Sequence, residues 1–240
     1  MSASPPPPFS FAFQPIVHAP SGQVLSYEAL IRGPAGESAA TVLAQVPSPA
    51  LHGFDAGARA VAIALAERLG LVQRSALLSL NFLPRSLQTL DDALASMFEA
   101  AARHGLAAER LVLEVTEGEA IDDMRRFAGQ MHACRAHGLR LAIDDFGSGY
   151  CGLNLLAEFQ PDFLKLDMAL LRGIEHSGPR QAIVRAVLGA CTDLGIDPIA
   201  EGVETVDEFR WLVDEGVELF QGYLIGRPAF EALPGAHIPA

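Results

Sequence analysis

Seven short apolar runs in this chain are closed or interrupted by side chains able to do chemistry. Glu28 sits within LSYEALI, Asn81 ends LLSLN and Glu114 sits within LVLEVTE. Asp144 and Asp145 close LAIDDFG, Lys165 and Asp167 close FLKLD, Glu201 follows PIA, and Gln221 follows ELF. One such residue alone ordinarily caps a helix or meets water. Several carboxylates brought to one place repel, each pair ~4 Å apart costing several kcal/mol at an effective dielectric near 20, so a cation is expected among them. Oxygen donors without Cys or His select hard cations such as Mg²⁺ or Mn²⁺. The adjacent Asp144 and Asp145 suit a two-metal site, the kind that activates water and steadies both oxygens of a phosphoryl transfer. The alternative for Asp145 is a cap on the turn that follows it.

Lys165 is the single lysine of the chain; every other basic side chain is arginine. Its compact ammonium with a tunable pKa could orient water or meet developing negative charge, where a guanidinium fork could not. The DFGSGY segment after Asp144 carries two glycines that permit a tight loop beside the site. It lacks the P-loop lysine and the dinucleotide fingerprint.

Positioning such residues calls for strands ending at a common mouth. Strands are expected over Phe11–Val17, Val24–Ile31, Leu77–Phe82, Leu111–Val115, Leu139–Asp144, Phe163–Leu166, Pro198–Ala200 and Leu219–Leu224. Helical spacing runs through Asp55–Leu69, Leu87–Arg103, Asp122–His137, Gly178–Leu194 and Val206–Glu215. The alternation implies an α/β fold, and eight strands in this length favour a closed (β/α)8 TIM-type barrel over an open sheet. Only Pro20-Ser21-Gly22 separates the first two strands, too short for a crossover helix, so they are expected to pair antiparallel and modify the barrel. The side chains of Asn81 and Asp144 are expected to face a solvent-filled mouth.

Composition agrees with one domain. Among 240 residues, 17 Lys and Arg against 29 Asp and Glu give a formal charge of −12, which argues against a nucleic acid polymer as partner. Half the residues are hydrophobic and 19% charged, enough for a large core. Absence of an ~18-residue apolar run argues against membrane insertion, and absence of a secretory signal makes a cytoplasmic location the expectation. The division expected is a Pro-rich arm over 1–10, the barrel over 11–232 and a tail over 233–240. Cys134, Cys151 and Cys191 lack metal-ligand spacing and read as reduced, structural thiols.

The ordered motifs FQPI, EALIR, EVTE, DDFGSGY, FLKLD, AEGVET and FQGY followed by GRP resemble the EAL domain family of cyclic di-GMP phosphodiesterases, over nearly the whole chain. That resemblance implies a modified (β/α)8 barrel that hydrolyses cyclic di-GMP to linear pGpG with two Mg²⁺ or Mn²⁺ ions. It implies Glu28, Asn81, Glu114 and Asp144 as ligands of one ion, and Asp144, Asp145 and Glu201 around the second. Lys165 and Gln221 would hold the attacking water, with Glu201 a further candidate for general base. Gln14, Leu30, Arg32 and Asp167 would bind substrate, while Glu117 and Glu204 would support loops. Cys151-Gly152 and Gly33 depart from the family pattern without removing a presumed ligand. The readings that compete are a non-catalytic cyclic di-GMP receptor and a different metal-dependent barrel enzyme acting on phosphorylated substrates. A homodimer and a regulatory partner protein are compatible with the sequence.

Overall fold

The computed structural model describes residues 6–82, 90–116, 124–148 and 152–239. Nine strands occur among them: β1 Ser10–His18, β2 Gln23–Arg32, β3 Leu77–Phe82, β4 Leu111–Thr116, β5 Arg140–Phe146, β6 Phe163–Leu166, β7 Asp197–Ala200, β8 Leu219–Phe220 and β9 Ala229–Phe230. The strands β2 to β8 run parallel in sequence order. The barrel is closed by β1, which lies antiparallel to both β2 and β8. Gly22, at φ 68°, makes the reversal between β1 and β2, its N–H reaching the His18 carbonyl at 2.9 Å. The expected modified barrel with an antiparallel first pair is therefore the fold observed.

Side chains alternate across a strand, and the two faces are filled differently here. Ile16, Leu77, Val112, Ala142, Phe163, Ile199 and Leu219, one from each of seven strands, form a separate apolar layer inside the barrel. The outward faces pack under the helices in the larger core. The longer helices are α2 Leu51–Arg68, α3 Leu90–Arg103, α4 Met124–Ala136, α7 Gly178–Leu194 and α8 Val206–Asp214; short ones are α1 Ala39–Leu43, α5 Gly152–Glu158 and α6 Met168–Leu171. No helix among the described residues is long and apolar enough to cross a membrane.

Two expected strand ends need correction, and four short elements were not expected. The last barrel strand stops at Phe220 rather than Leu224, because Gly222 turns in against the loop after β7; a Cβ there would lie 2.1 Å from the Val203 carbonyl oxygen. The fifth strand continues past Asp144 to Phe146. The ninth strand, two residues long, pairs with β1 and has too little sequence to show a period. The short α1, α5 and α6 escaped notice for the same reason. The expected starts at Leu87 and Asp122 lie outside the described residues.

The flanks are tied to the barrel. Ser10 already belongs to β1, and the Phe9 ring meets Phe54 at 4.9 Å between centroids. Beyond position 232, Tyr27 Oη donates to the Pro234 carbonyl at 2.9 Å and the His237 N–H donates to the Ile225 carbonyl at 2.8 Å. Cys134 and Cys191 are buried and outside any disulfide, and burial pushes the Cys191 thiol up to about 11, the behaviour of an inert thiol. Cys151 lies outside the described residues.

Candidate functional site

The polar side chains of the mouth follow from the apolar layer beneath them by the period of two. Glu114, Asp144, Lys165, Glu201 and Gln221 each stand two residues after Val112, Ala142, Phe163, Ile199 and Leu219. On β1, which runs the other way, Gln14 stands two residues before Ile16 and lies opposite Glu28. Glu28 follows Ser26, whose hydroxyl meets Ser79 at 2.9 Å. Asn81 lies level with Glu114 in the register of β3 and β4.

Lys165 is the hub. It is 1% exposed, and its Nζ lies 2.7 Å from Glu201, 2.9 Å from Glu114, 2.9 Å from Asp144 and 3.3 Å from Glu28. Gln221 Nε2 donates to Glu28 at 2.7 Å and to Gln14 Oε1 at 3.3 Å, and Asn81 Nδ2 donates to Glu28 at 3.1 Å. Gln14 Nε2 in turn donates to the Gly226 carbonyl at 3.1 Å. Glu28, Glu114 and Asp144 are buried, for Asp144 contrary to the solvent-facing position expected. Asn81 is exposed, as expected.

The charges are unbalanced. Burial pushes the Glu114 carboxyl up to about 8, aided by Glu28 and Asp144 and opposed by Lys165. Burial likewise lifts Glu201 well above the usual range, while at Asp144 the burial effect is outweighed by Lys165 and the carboxyl is held low. The ammonium of Lys165 loses from burial but is lifted well above its ordinary value by its four acidic neighbours. Asp145 is pushed up to about 6 by burial, Asp144 and Asp167. One ammonium does not satisfy this cluster.

Two sets of carboxylates offer oxygens within 4.8 Å of one another: Glu28, Glu114 and Asp144 in one, Asp144, Asp145 and Glu201 in the other. Asp144 belongs to both. The two sets hold five carboxylates, and with Lys165 the formal charge is four negative, the charge two divalent cations would balance. Glu114 Oε1 is buried without a hydrogen-bond partner, a full desolvation cost that a bound cation would remove. The donor chemistry and the orphaned oxygen both fit a hard divalent cation.

Consecutive residues of a regular strand point to opposite faces, so Asp144 and Asp145 should not share a site. A register shift between Ile143 and Phe146 removes the conflict, with Asp145 at φ 56°. The extra residue turns both aspartates to the mouth. The turn that follows is held by the Asp145 carbonyl, which accepts from the Ser148 N–H at 3.1 Å and its hydroxyl at 2.8 Å. The bulge lies within the strand, which runs on to Phe146.

Other expected residues lie around this cluster. Leu30 lines a cavity of about 320 Å³ shared by Glu28, Asn81 and Asp144. Arg32 donates to the Ile31 carbonyl at 2.8 Å, and Asp167 Oδ1 caps α6 through the Ala169 N–H at 2.7 Å. Glu204 pairs with Arg172 at 3.1 Å, away from the acidic cluster. Glu117 lies outside the described residues. Sequence reasoning passed over Asp55 and Arg59, an ion pair lining the same cavity, with the guanidinium 4.9 Å from the Phe82 centroid. Their signal was opposite charge at i and i+4 on a helix otherwise poor in charge.

Comparison with known proteins gives consistent results. A family profile described as EAL domain matches residues 7–228. A standalone versatile EAL protein from Vibrio cholerae O395, in its c-di-GMP bound form, is 42% identical with a TM-score of 0.90 over 98% of each chain. Klebsiella pneumoniae BlrP1 in a manganese/cy-diGMP complex is 42% identical with a TM-score of 0.89, over 97% of this chain and 58% of that one. The blue light- and temperature-regulated antirepressor BluF of Escherichia coli (strain K12) is 34% identical over 95% of this chain. The chain spans 56% of BluF and between 16% and 33% of three further curated relatives.

Proposed function

The chain belongs to the EAL domain family, and from that premise we propose that it hydrolyses one phosphodiester bond of cyclic di-GMP to linear pGpG, lowering a bacterial second messenger, with two Mg²⁺ or Mn²⁺ ions. The observation that carries this reading is Asp144, common to two carboxylate sets that meet around one buried lysine. The cyclic di-GMP complexes of relatives 42% identical to this chain support the substrate.

Glu28, Asn81, Glu114 and Asp144 would hold one ion, and Asp144, Asp145 and Glu201 the other. When bound, the pair would polarise the phosphate and make water nucleophilic near neutral pH. The chain's own groups do the rest. Gln221 Oε1 is buried without a partner while its Nε2 is fixed on Glu28, so the amide can accept from a water and orient it. Lys165 presents a compact positive charge where negative charge develops on the phosphate. Glu201, 2.7 Å from the Lys165 ammonium, would take the proton that water loses once bound cations keep its carboxyl ionised. Arg32 would bind a substrate phosphate, with Gln14, Leu30 and Asp167 against the nucleotide and Glu117 and Glu204 supporting loops.

The catalytic unit is 11–232, flanked by the 1–10 arm and the 233–240 tail, in a cytoplasmic protein. A homodimer and a regulatory partner complete the proposal; the additional length of BluF and BlrP1 supports regulation from outside this segment.

The test is turnover of cyclic di-GMP by the purified chain, with product identified by mass spectrometry, in Mg²⁺, in Mn²⁺ and after chelation. Formation of pGpG that stops on chelation is expected. Tight binding without turnover would establish the receptor reading, which the word antirepressor in BluF's name makes worth separating. Neither binding nor turnover would point to another phosphorylated substrate.

A further inference from the structure

Glu201 is the one member of the second carboxylate set that follows β7 rather than standing on β5; its N–H donates to the Leu166 carbonyl at 3.1 Å, and beyond it residues 202–205 lead into α8. On one side this segment is pinned to the barrel. The Val203 N–H donates to the Gln221 carbonyl and the Leu224 N–H to the Val203 carbonyl, both at 3.1 Å. On the other side it rests on the connection after β6. Gly202, at φ 63°, approaches so closely that a Cβ there would lie 2.6 Å from Met168 Cβ. Arg172, just beyond α6, reaches across this contact with both arms. Its Nη2 donates to the Gly202 carbonyl at 3.3 Å, while Nη1 lies 3.1 Å from Glu204 and 3.5 Å from Glu208.

Glu208 doubles the brace. It is buried, and it accepts from the Glu204 N–H at 3.0 Å and the Thr205 N–H at 3.1 Å through one oxygen, and from the Gly173 N–H at 3.0 Å through the other. Arg172 therefore grips the residue directly after Glu201 and the acid three residues on.

We propose that Arg172 is a positioning residue for the second cation, holding the Gly202 carbonyl and Glu204 so that Glu201 stands within reach of Asp144 and Asp145. This rests on the two-cation reading of the site. Arg172 touches none of the five carboxylates, so it acts through the loop. Its nearer partner, Glu204, is exposed, Arg172 itself is 35% exposed, and such a pair contributes little to stability, while the buried Glu208, 3.5 Å away, keeps its three backbone N–H donors when Arg172 is lost, which separates positioning from folding. Groups that orient a metal ligand typically change metal affinity by about 10–100-fold when lost.

The experiment is titration of the purified chain with Mn²⁺, following free Mn²⁺ by electron paramagnetic resonance, with thermal unfolding of the same samples in chelator. Wild type is expected to take up two ions. Arg172→Ala should keep one affinity and weaken the other by about 10–100-fold, while its melting temperature in chelator moves by no more than ~3 °C. Arg172→Lys keeps a charge for Glu204 but loses the second arm to Gly202, so it should fall between them. Should Arg172→Ala fail to fold, Arg172→Lys decides. Two unchanged affinities, an equal weakening of both, or a lower melting temperature with unchanged affinities would each overturn the proposal. Wild type taking up fewer than two ions would defeat the two-cation reading itself, and the inference with it.

Discussion

Replacing Lys165 by Met removes the buried ammonium while keeping a side chain of similar length. Four carboxylate oxygens then face one another without the charge that lies 2.7–3.3 Å from each. A charge pair ~4 Å apart is worth about 4 kcal/mol at an effective dielectric of 20, but protons taken up by Glu114 and Glu201 relieve part of the repulsion. The measured cost of removing one partner from a buried pair, about 3–5 kcal/mol, is therefore the better guide. For a chain of this size that is roughly 6–20 °C in melting temperature. The loss should be full in chelator and much smaller in saturating Mn²⁺, because bound cations substitute for the ammonium. Thermal unfolding of both proteins under both conditions measures it. Equal melting temperatures in chelator would refute the counterion role of Lys165. Lys165→Arg completes the test: the larger fork must enter a space where lysine is 1% exposed, so strain of about 1–3 kcal/mol and a kcat lower by at least ~100-fold are expected. A Lys165→Arg enzyme of near-normal kcat would mean that charge alone suffices.

Asp144→Asn should impair both cation sites at once, whereas Asn81→Ala should weaken one; Mn²⁺ titration and turnover of the two variants check this, and a normal Asp144→Asn would exclude the shared role. Glu208 is subject to burial, which raises its pKa, but the Gly173, Glu204 and Thr205 N–H groups and Arg172 together hold it below the ordinary value. Its carboxylate thus stabilises the fold fully above the unfolded pKa of about 4.3 and loses that contribution as pH falls through the lowered folded value. Glu208→Gln should melt lower than wild type at pH 7 by an amount worth about 1–3 kcal/mol, with the gap closing in acid. A gap unchanged down to pH 3 would show that the charge is not what stabilises the loop.

The site was legible where a strand imposes its period. Val112-Leu-Glu114, Ala142-Ile-Asp144, Phe163-Leu-Lys165, Ile199-Ala-Glu201 and Leu219-Phe-Gln221 repeat one arrangement: an apolar residue for the barrel interior, one for the helix layer, then a polar residue for the mouth. Such repetition fixes which residues converge before any contact is known. Burial of the cluster was not legible, since it depends on how far neighbouring strands rise around each side chain. The Asp55 and Arg59 pair was missed for a related reason: a helix pattern says which face is inward, not which cavity that face meets.

Asp145 shows where the period fails and why the failure matters. A regular β5 would send its carboxylate outward among apolar side chains, an expensive place for a charge. The positive φ at Asp145 is uncommon for a residue other than glycine, though Asp tolerates it better than most. Gly147 follows at φ 98°, close enough to Leu170 that a Cβ would come within 2.2 Å of Leu170 Cδ1, so the turn after the bulge is seated directly on α6. The same α6 segment leads into Arg172, which grips the Gly202 carbonyl behind Glu201. The first carboxylate set thus stands wholly on strands, fixed by the barrel's hydrogen bonds. The second adds to Asp144 a bulge residue and Glu201, whose N–H still donates to the Leu166 carbonyl of β6 at 3.1 Å while the backbone just after each rests on α6. Local sequence reveals the first set and Glu201 because the strand period places them; Asp145 depends on a bulge whose turn rests on α6, a contact between segments more than twenty residues apart.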